Sequence, residues 1–178
     1  MSCTGNVVRY ASTMGNGLLH IANTVSAILP ATRFFRFKSG MYRLAGLDIG
    51  SNVKICGGAR IYYPNVTIGD NTWLGIGALI VSTKLCRVTI GANCDIAPRV
   101  TVTVGSHVIG GPERRASDRA DSNSISIGDG TWVGAGATFI AGSGCGYGAV
   151  IAAGSVVTKN FGPNVLVGGV PGRVIREL

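Results

Sequence analysis

From Ile127 to Val157 the chain reads IGDGTWVGAGATFIAGSGCGYGAVIAAGSVV. A large apolar residue returns every sixth position: Ile127, Val133, Phe139, Cys145, Ile151 and Val157. A small residue stands four places after each of the first five: Thr131, Ala137, Ser143, Ala149 and Ser155. The place just after the large residue is often Gly or Ala, as at Gly128, Gly134, Gly146 and Ala152. Six is a multiple of the strand period of two, whereas two turns of an α-helix need about 7.2 residues, so a strict six drifts round a helix within three repeats. Each unit is therefore a short strand and a tight corner, with small residues where the chain passes close to itself. One unit cannot bury its apolar residue alone, so units stack and the domain grows along one axis.

The same unit appears earlier, as Ile49, Ile55, Ile61, then Ile68, Leu74, Ile80, then Ile90, Ile96, Val102, Val108. Its phase breaks in three places. Ile61 to Ile68 spans seven positions with Pro64 in the gap, Ile80 to Ile90 spans ten around Lys84 to Arg87, and Val108 to Ile127 spans nineteen. The last break is polar, with Glu113, Arg114, Arg115, Asp118, Arg119 and Asp121. Residues 109–126 are expected to project from the stack as a loop, where sites tend to sit on a rigid scaffold.

Composition agrees with a repeat that turns on glycine. The chain has 178 residues, 28 of them Gly, about twice the usual ~7 %. They do not fall every third position and Pro numbers only 6, which excludes collagen and Pro/Gly low complexity. Charged residues are 13 % and hydrophobic ones 46 %, the reverse of a disordered chain. The five cysteines, Cys3, Cys56, Cys86, Cys94 and Cys145, are odd in number and form no C-x-x-C pair, so they read as core fillers in a reducing compartment rather than a disulfide framework or zinc ribbon.

Residues 1–45 differ from the rest. Through residue 47 there are five basic residues, Arg9, Arg33, Arg36, Lys38 and Arg43, and no acid, so most of the net charge of +8 sits there. Val7, Ala11, Met14, Leu18, Ile21, Val25 and Ile28 follow at spacings of four and three, an amphipathic helix ended by Pro30. Arg33-Phe34-Phe35-Arg36-Phe37-Lys38 comes after it. The segment is read in two ways: packed on the side of the stack by its apolar stripe, or in contact with an anionic membrane surface over residues 7–45. The best apolar run, from Gly17 to Ala31, falls short of the ~20 residues a spanning helix needs. A cytoplasmic protein is expected, either free or peripheral at the inner membrane face.

Three stretches carry a family resemblance. They are Ile90 to Pro98 with Val100 to His107 after it, Ile127 to Gly136, and Ala153 to Lys159 followed by Pro163-Asn164-Val165 and Val170 to Arg176. Over residues 46–178 the chain resembles the hexapeptide-repeat acetyltransferases, closest to the maltose, galactoside and polysaccharide O-acetyltransferase branch. The resemblance implies an all-β, left-handed parallel β-helix with the N-terminal helical segment and a short C-terminal helix. It also implies a homotrimer with active sites between subunits, acetyl-CoA as acetyl donor, no metal, and a sugar or polysaccharide-precursor acceptor.

Residue by residue, His107 matches the general base that stands just before the projecting loop. The chemistry suits it, since an alcohol loses its proton as it attacks a thioester and a neutral imidazole can take that proton near pH 7. By the same resemblance the Ala135 N–H faces the thioester oxygen, Ala153 lines the pantetheine groove, and Trp132 borders the site. Thr158, Lys159, Arg173 and Arg176 match positions that meet the cofactor's amide and phosphate groups. No side chain is assigned to orient His107; Asp95 is near it in sequence. The sequence departs from the branch at Asn160 and Gly162-Pro163, and at Leu74-Gly75-Ile76-Gly77-Ala78, where sugar acetyltransferases carry an acceptor-holding Asn.

Other classes fare worse. A zinc enzyme of this architecture needs three histidine ligands, and the chain has only His20 and His107. Nucleic-acid binding has only the pI near 9.7 in its favour and no motif. The alternatives retained are acetylation of another small hydroxyl or amine compound, such as an antibiotic or amino acid, and a non-catalytic β-helix scaffold.

Overall fold

The computed structural model describes residues 13–178. Two helices come first, α1 (Thr13–Ile28) and α2 (Phe35–Leu44). The chain then winds in triangular turns of three short strands. The first turn is β1 (Asp48–Ile49), β2 (Lys54–Ile55) and β3 (Arg60–Tyr62); the second is β4 (Val66–Ile68), β5 (Trp73–Leu74) and β6 (Leu79–Val81). The third is β7 (Val88–Ile90), β8 (Asp95–Ile96) and β9 (Thr101–Thr103). A hairpin of β10 (His107–Ile109) and β11 (Ala116–Ala120) interrupts the winding. The fourth turn is β12 (Ile125–Ile127), β13 (Trp132–Val133) and β14 (Thr138–Phe139); the fifth is β15 (Gly144–Cys145), β16 (Val150–Ile151) and β17 (Val156–Val157). The chain ends on β18 (Asn160–Phe161), β19 (Val165–Gly168) and β20 (Arg173–Glu177).

Corresponding strands stack in parallel into three faces. Their registers place the six-residue repeat in three columns. Ile49, Ile68, Ile90, Ile127, Cys145 and Phe161 form one. Ile55, Leu74, Ile96, Val133, Ile151 and Val167 form the second, and Ile61, Ile80, Val102, Phe139 and Val157 the third. Every member is buried, and each large side chain removed from water contributes roughly 1.5–3 kcal/mol. The corners explain the glycine content. At the first corner Asn52, Asn71, Asn93, Gly130, Gly148 and Asn164 all take left-handed backbone angles, a conformation that only Gly and Asn adopt readily.

All the phase breaks fall at one edge, the third corner, where the chain passes from the third face to the first of the next turn. The series through Val102 does not continue to Val108. Val104 is the last buried residue before the hairpin, and Val108 lies within β10, outside the stack. A hairpin strand also alternates with period two, so a spacing of six recurs there without meaning a coil. The excursion runs over residues 105–124, and Ile125 is already back in the core.

The short C-terminal helix is not formed. Arg173–Glu177 is instead a strand, antiparallel to β19. β19 ends its sheet, and an unpaired edge of N–H and C=O groups is satisfied by a returning strand.

The N-terminal segment also differs from expectation. Val7 and Ala11 lie outside the described residues. Leu18, Ile21 and Ile28 are exposed, and α1 packs through Leu19, Ala22 and Ser26 instead. The reason is the open end of the first turn, whose backbone groups have no strand beneath them. The Asn23 amide pairs with both backbone groups of Ile61: Nδ2 donates to its carbonyl (2.9 Å) and Oδ1 accepts its N–H (3.0 Å). From α2, the Ser39 hydroxyl donates to the Val53 carbonyl (2.7 Å), and Arg43 Nε donates to that of Ile49 (2.9 Å). Lys38, buried, reaches back to the carbonyls of Pro30 and Ala31. An end that presents polar backbone takes the helix faces that carry Asn23, Ser39 and Arg43 among their apolar residues. Among the described residues no helix is long and apolar enough to cross a membrane.

Candidate active site

The hairpin at the third corner carries the histidine. Its base is closed by the Asn123 N–H to the Val104 carbonyl (3.2 Å) and the Asp121 N–H to the Ser106 carbonyl (3.0 Å). Near the tip the Gly110 N–H donates to the Arg115 carbonyl (2.8 Å). Glycine is required at 110, because a Cβ there would run into the Arg114 carbonyl oxygen.

His107 opens β10 opposite Ala120 and is exposed. Its Nδ1 lies 2.9 Å from the Ser117 carbonyl oxygen on the returning strand. A carbonyl only accepts, so Nδ1 carries the hydrogen and Nε2 keeps its lone pair. The neutral ring is thus held in the tautomer that can take a proton through Nε2. No side-chain signal in the sequence pointed to this partner, because the orienting group is a backbone carbonyl set by hairpin register. Asp95 does not serve: it stands on the second face, paired in register with Trp73 and Trp132.

A second group forms at the second corner. After the inward Val133 the chain turns through Gly134, Ala135 and Gly136, and one turn later through Ala152, Ala153 and Gly154. The Gly154 N–H donates to the Ala135 carbonyl (2.9 Å), so the two corners sit one above the other. A Cβ on Gly134 would stand 2.5 Å from the Ala153 nitrogen. Ala135 and Ala153 are exposed, and their own N–H groups make no hydrogen bond among the described residues. Trp132 stands beside this corner on the second face, 56 % exposed.

The remaining residues are also at the surface. Thr158 and Lys159 follow β17 at the third corner, with the Lys159 ammonium 5.5 Å from the centre of the Phe161 ring. Arg173 and Arg176 lie on β20, which extends the second face, and among the described residues their guanidiniums donate only to the neighbouring carbonyls of Gly172 and Glu177. His107, Thr158 and Lys159 therefore occupy one edge of the solenoid and Ala135 and Ala153 another, with the third face between them. No described contact within one chain joins His107 to either alanine.

The buried thiols make poor nucleophiles. Burial pushes Cys145 up to about 11 and raises Cys56 and Cys94 as well, so their thiolate fraction at neutral pH is small.

No family model matches the chain. The "Putative colanic acid biosynthesis acetyltransferase WcaF" of Escherichia coli is 34 % identical over 146 residues, covering 80 % of this chain and 76 % of its own. The chain belongs to the hexapeptide-repeat acetyltransferases. The E. coli galactoside O-acetyltransferase is 41 % identical over 117 residues, 66 % of this chain and 56 % of that one. Among solved structures, a galactoside acetyltransferase in complex with coenzyme A superimposes with a TM-score of 0.82 at 29 % identity, covering 97 % of this chain and 84 % of that one. A maltose O-acetyltransferase from Clostridium difficile, at 24 % identity and a TM-score of 0.72, shares the fold. The architecture of this acetyltransferase is the left-handed parallel β-helix.

Proposed function

We propose that the acetyltransferase moves the acetyl group of acetyl-CoA directly to a sugar hydroxyl, with His107 as general base, at sites shared between copies in a homotrimer. The observation that carries this reading is the His107 Nδ1–H to Ser117 carbonyl bond, which leaves Nε2 free to accept. Nε2 takes the hydroxyl proton as the acceptor oxygen attacks the thioester carbonyl carbon. The free N–H of Ala135 offers a donor to the oxygen on which charge develops. When the C–S bond breaks, the imidazolium returns its proton to the departing thiolate, so the ester, coenzyme A and a neutral histidine remain.

The cofactor fits the residues present. Ala153 leaves its corner open to close backbone approach, and the exposed cations Lys159, Arg173 and Arg176 suit phosphates, with Thr158 a hydroxyl partner for an amide. Because His107 and Ala135 lie on different edges of one chain, a site containing both needs a second copy. Head-to-tail contact that closes after three copies supplies such a pairing. The names of the relatives favour a sugar acceptor, such as a surface polysaccharide or its precursor, and the donor favours the cytoplasm.

The test is acetyl-CoA binding by calorimetry together with slow acetyl-CoA hydrolysis, on wild type and His107→Ala. The expected result is equal binding and a loss of roughly 10²–10⁴-fold in turnover in the variant. Equal hydrolysis by both would remove His107 as the base. Absence of binding in both would leave a scaffold without the enzyme.

A further inference from the structure

The outward side of the two helices has no work in the fold or the candidate site. On α1, Ile21 and Ile28 are 55 % and 80 % exposed, and Leu18 is exposed with them. They lie about a third of a helical turn round from the buried Leu19, Ala22 and Ser26. On α2, Phe37 and Leu44 are 56 % and 79 % exposed, on the side opposite the buried Lys38, Ser39 and Tyr42. Both helices pack on the first turn, α1 against β3 and α2 against β1 and β2. Their free sides therefore face away from the solenoid at its N-terminal end. Phe37 and Leu44, with Arg36, Gly40, Met41 and Arg43, line a shallow groove of about 550 Å³ on α2. Phe34 and Arg33 stand exposed at its start.

Charge selects the occupant. Arg33 and Arg36 are exposed around this apolar surface, and no acidic residue occurs before Asp48. A second copy would bring the same positive charge against it. A surface with apolar side chains at its centre and arginines at its rim matches a bilayer whose headgroups are negative, with the rings entering the acyl boundary and the guanidiniums on phosphates.

We propose that the outward faces of α1 and α2 dock the acetyltransferase on an anionic lipid surface. This deepens the sugar-acceptor reading, since an enzyme held at the bilayer meets lipid-linked acceptors, but it does not depend on His107. In a cyclic trimer all three docking faces would point to the same end, so the contacts would act together.

The test is co-sedimentation of the full chain with vesicles of phosphatidylcholine alone or mixed with phosphatidylglycerol. Binding is expected only to the mixed vesicles and is expected to fall as salt rises. Arg33→Gln and Arg36→Gln should each weaken it about fivefold, and Phe37→Ser about tenfold. Circular dichroism and acetyl-CoA affinity are measured on the same variants to show that the fold is kept. No binding, equal binding to both vesicle types, or binding unchanged in all three variants would overturn the proposal. So would variants that change the oligomeric mass in light scattering while the wild type ignores vesicles, which would make the face an interface between copies. Failure here with His107-dependent hydrolysis intact would leave the catalytic reading standing.

Discussion

The bond from His107 Nδ1 to the Ser117 carbonyl depends on hairpin register, and Gly110 sets how tightly that hairpin closes. Gly110→Ala forces the tip apart and displaces the imidazole. Turnover should fall by about a hundredfold while acetyl-CoA affinity stays at the wild-type value; unchanged turnover in steady-state assays would mean the hairpin does not position the base. Tyr42 gives a second check. Burial pushes its hydroxyl up to about 12, whereas an unfolded tyrosine ionises near 10. Between those values the folded state holds a proton that the unfolded state has lost, so stability falls as pH rises through the window, by about 3 kcal/mol in all. Urea midpoints of Tyr42→Phe should lack this part of the alkaline decline; a decline identical to wild type would contradict it. Ser26 works the other way. Its hydroxyl is buried beside that of Tyr42 with no hydrogen bond of normal geometry among the described residues, so Ser26→Ala should leave Tm unchanged or raise it, by up to about 1 kcal/mol of stability.

Each arm of the coil depends on how near the next turn lies. A methyl on Gly134 meets the Ala153 backbone at 2.5 Å, which cannot yield as a flexible side chain would. Gly134→Ala should cost about 3 kcal/mol or more, seen as a lowered Tm together with weaker acetyl-CoA binding, since the same corner carries Ala135. The arms themselves were legible in the sequence, because a period of six ties the side-chain direction to position and the registers preserve it. The helix α1 was legible as a helix but not in its orientation. Spacing shows that Leu18, Ile21 and Ile28 share a side; it does not show that the neighbouring surface is an open strand edge that demands Asn23. The strand β20 was missed for a related reason. Five residues, Arg-Val-Ile-Arg-Glu, have no periodicity long enough to decide between helix and strand, and the free edge of β19 decides it.

At the level of the assembly, repeat and spacing alone gave neither the candidate residues nor their arrangement; both came from the family resemblance. His107, Ala135 and Ala153 were picked out by their match to the family, which also implied sites between subunits; the fold adds that the first lies on one edge of the chain and the others on another. That separation is what makes a shared site the central claim. The most direct measurement is complementation between two inactive chains, His107→Ala and Ala153→Trp, co-expressed and assayed for acetyl-CoA turnover against each alone. Shared sites predict that random assembly restores about a quarter of wild-type activity, because one edge of each chain is intact and meets the intact edge of its neighbour. Activity no higher in the mixture than in the separate variants would contradict the account.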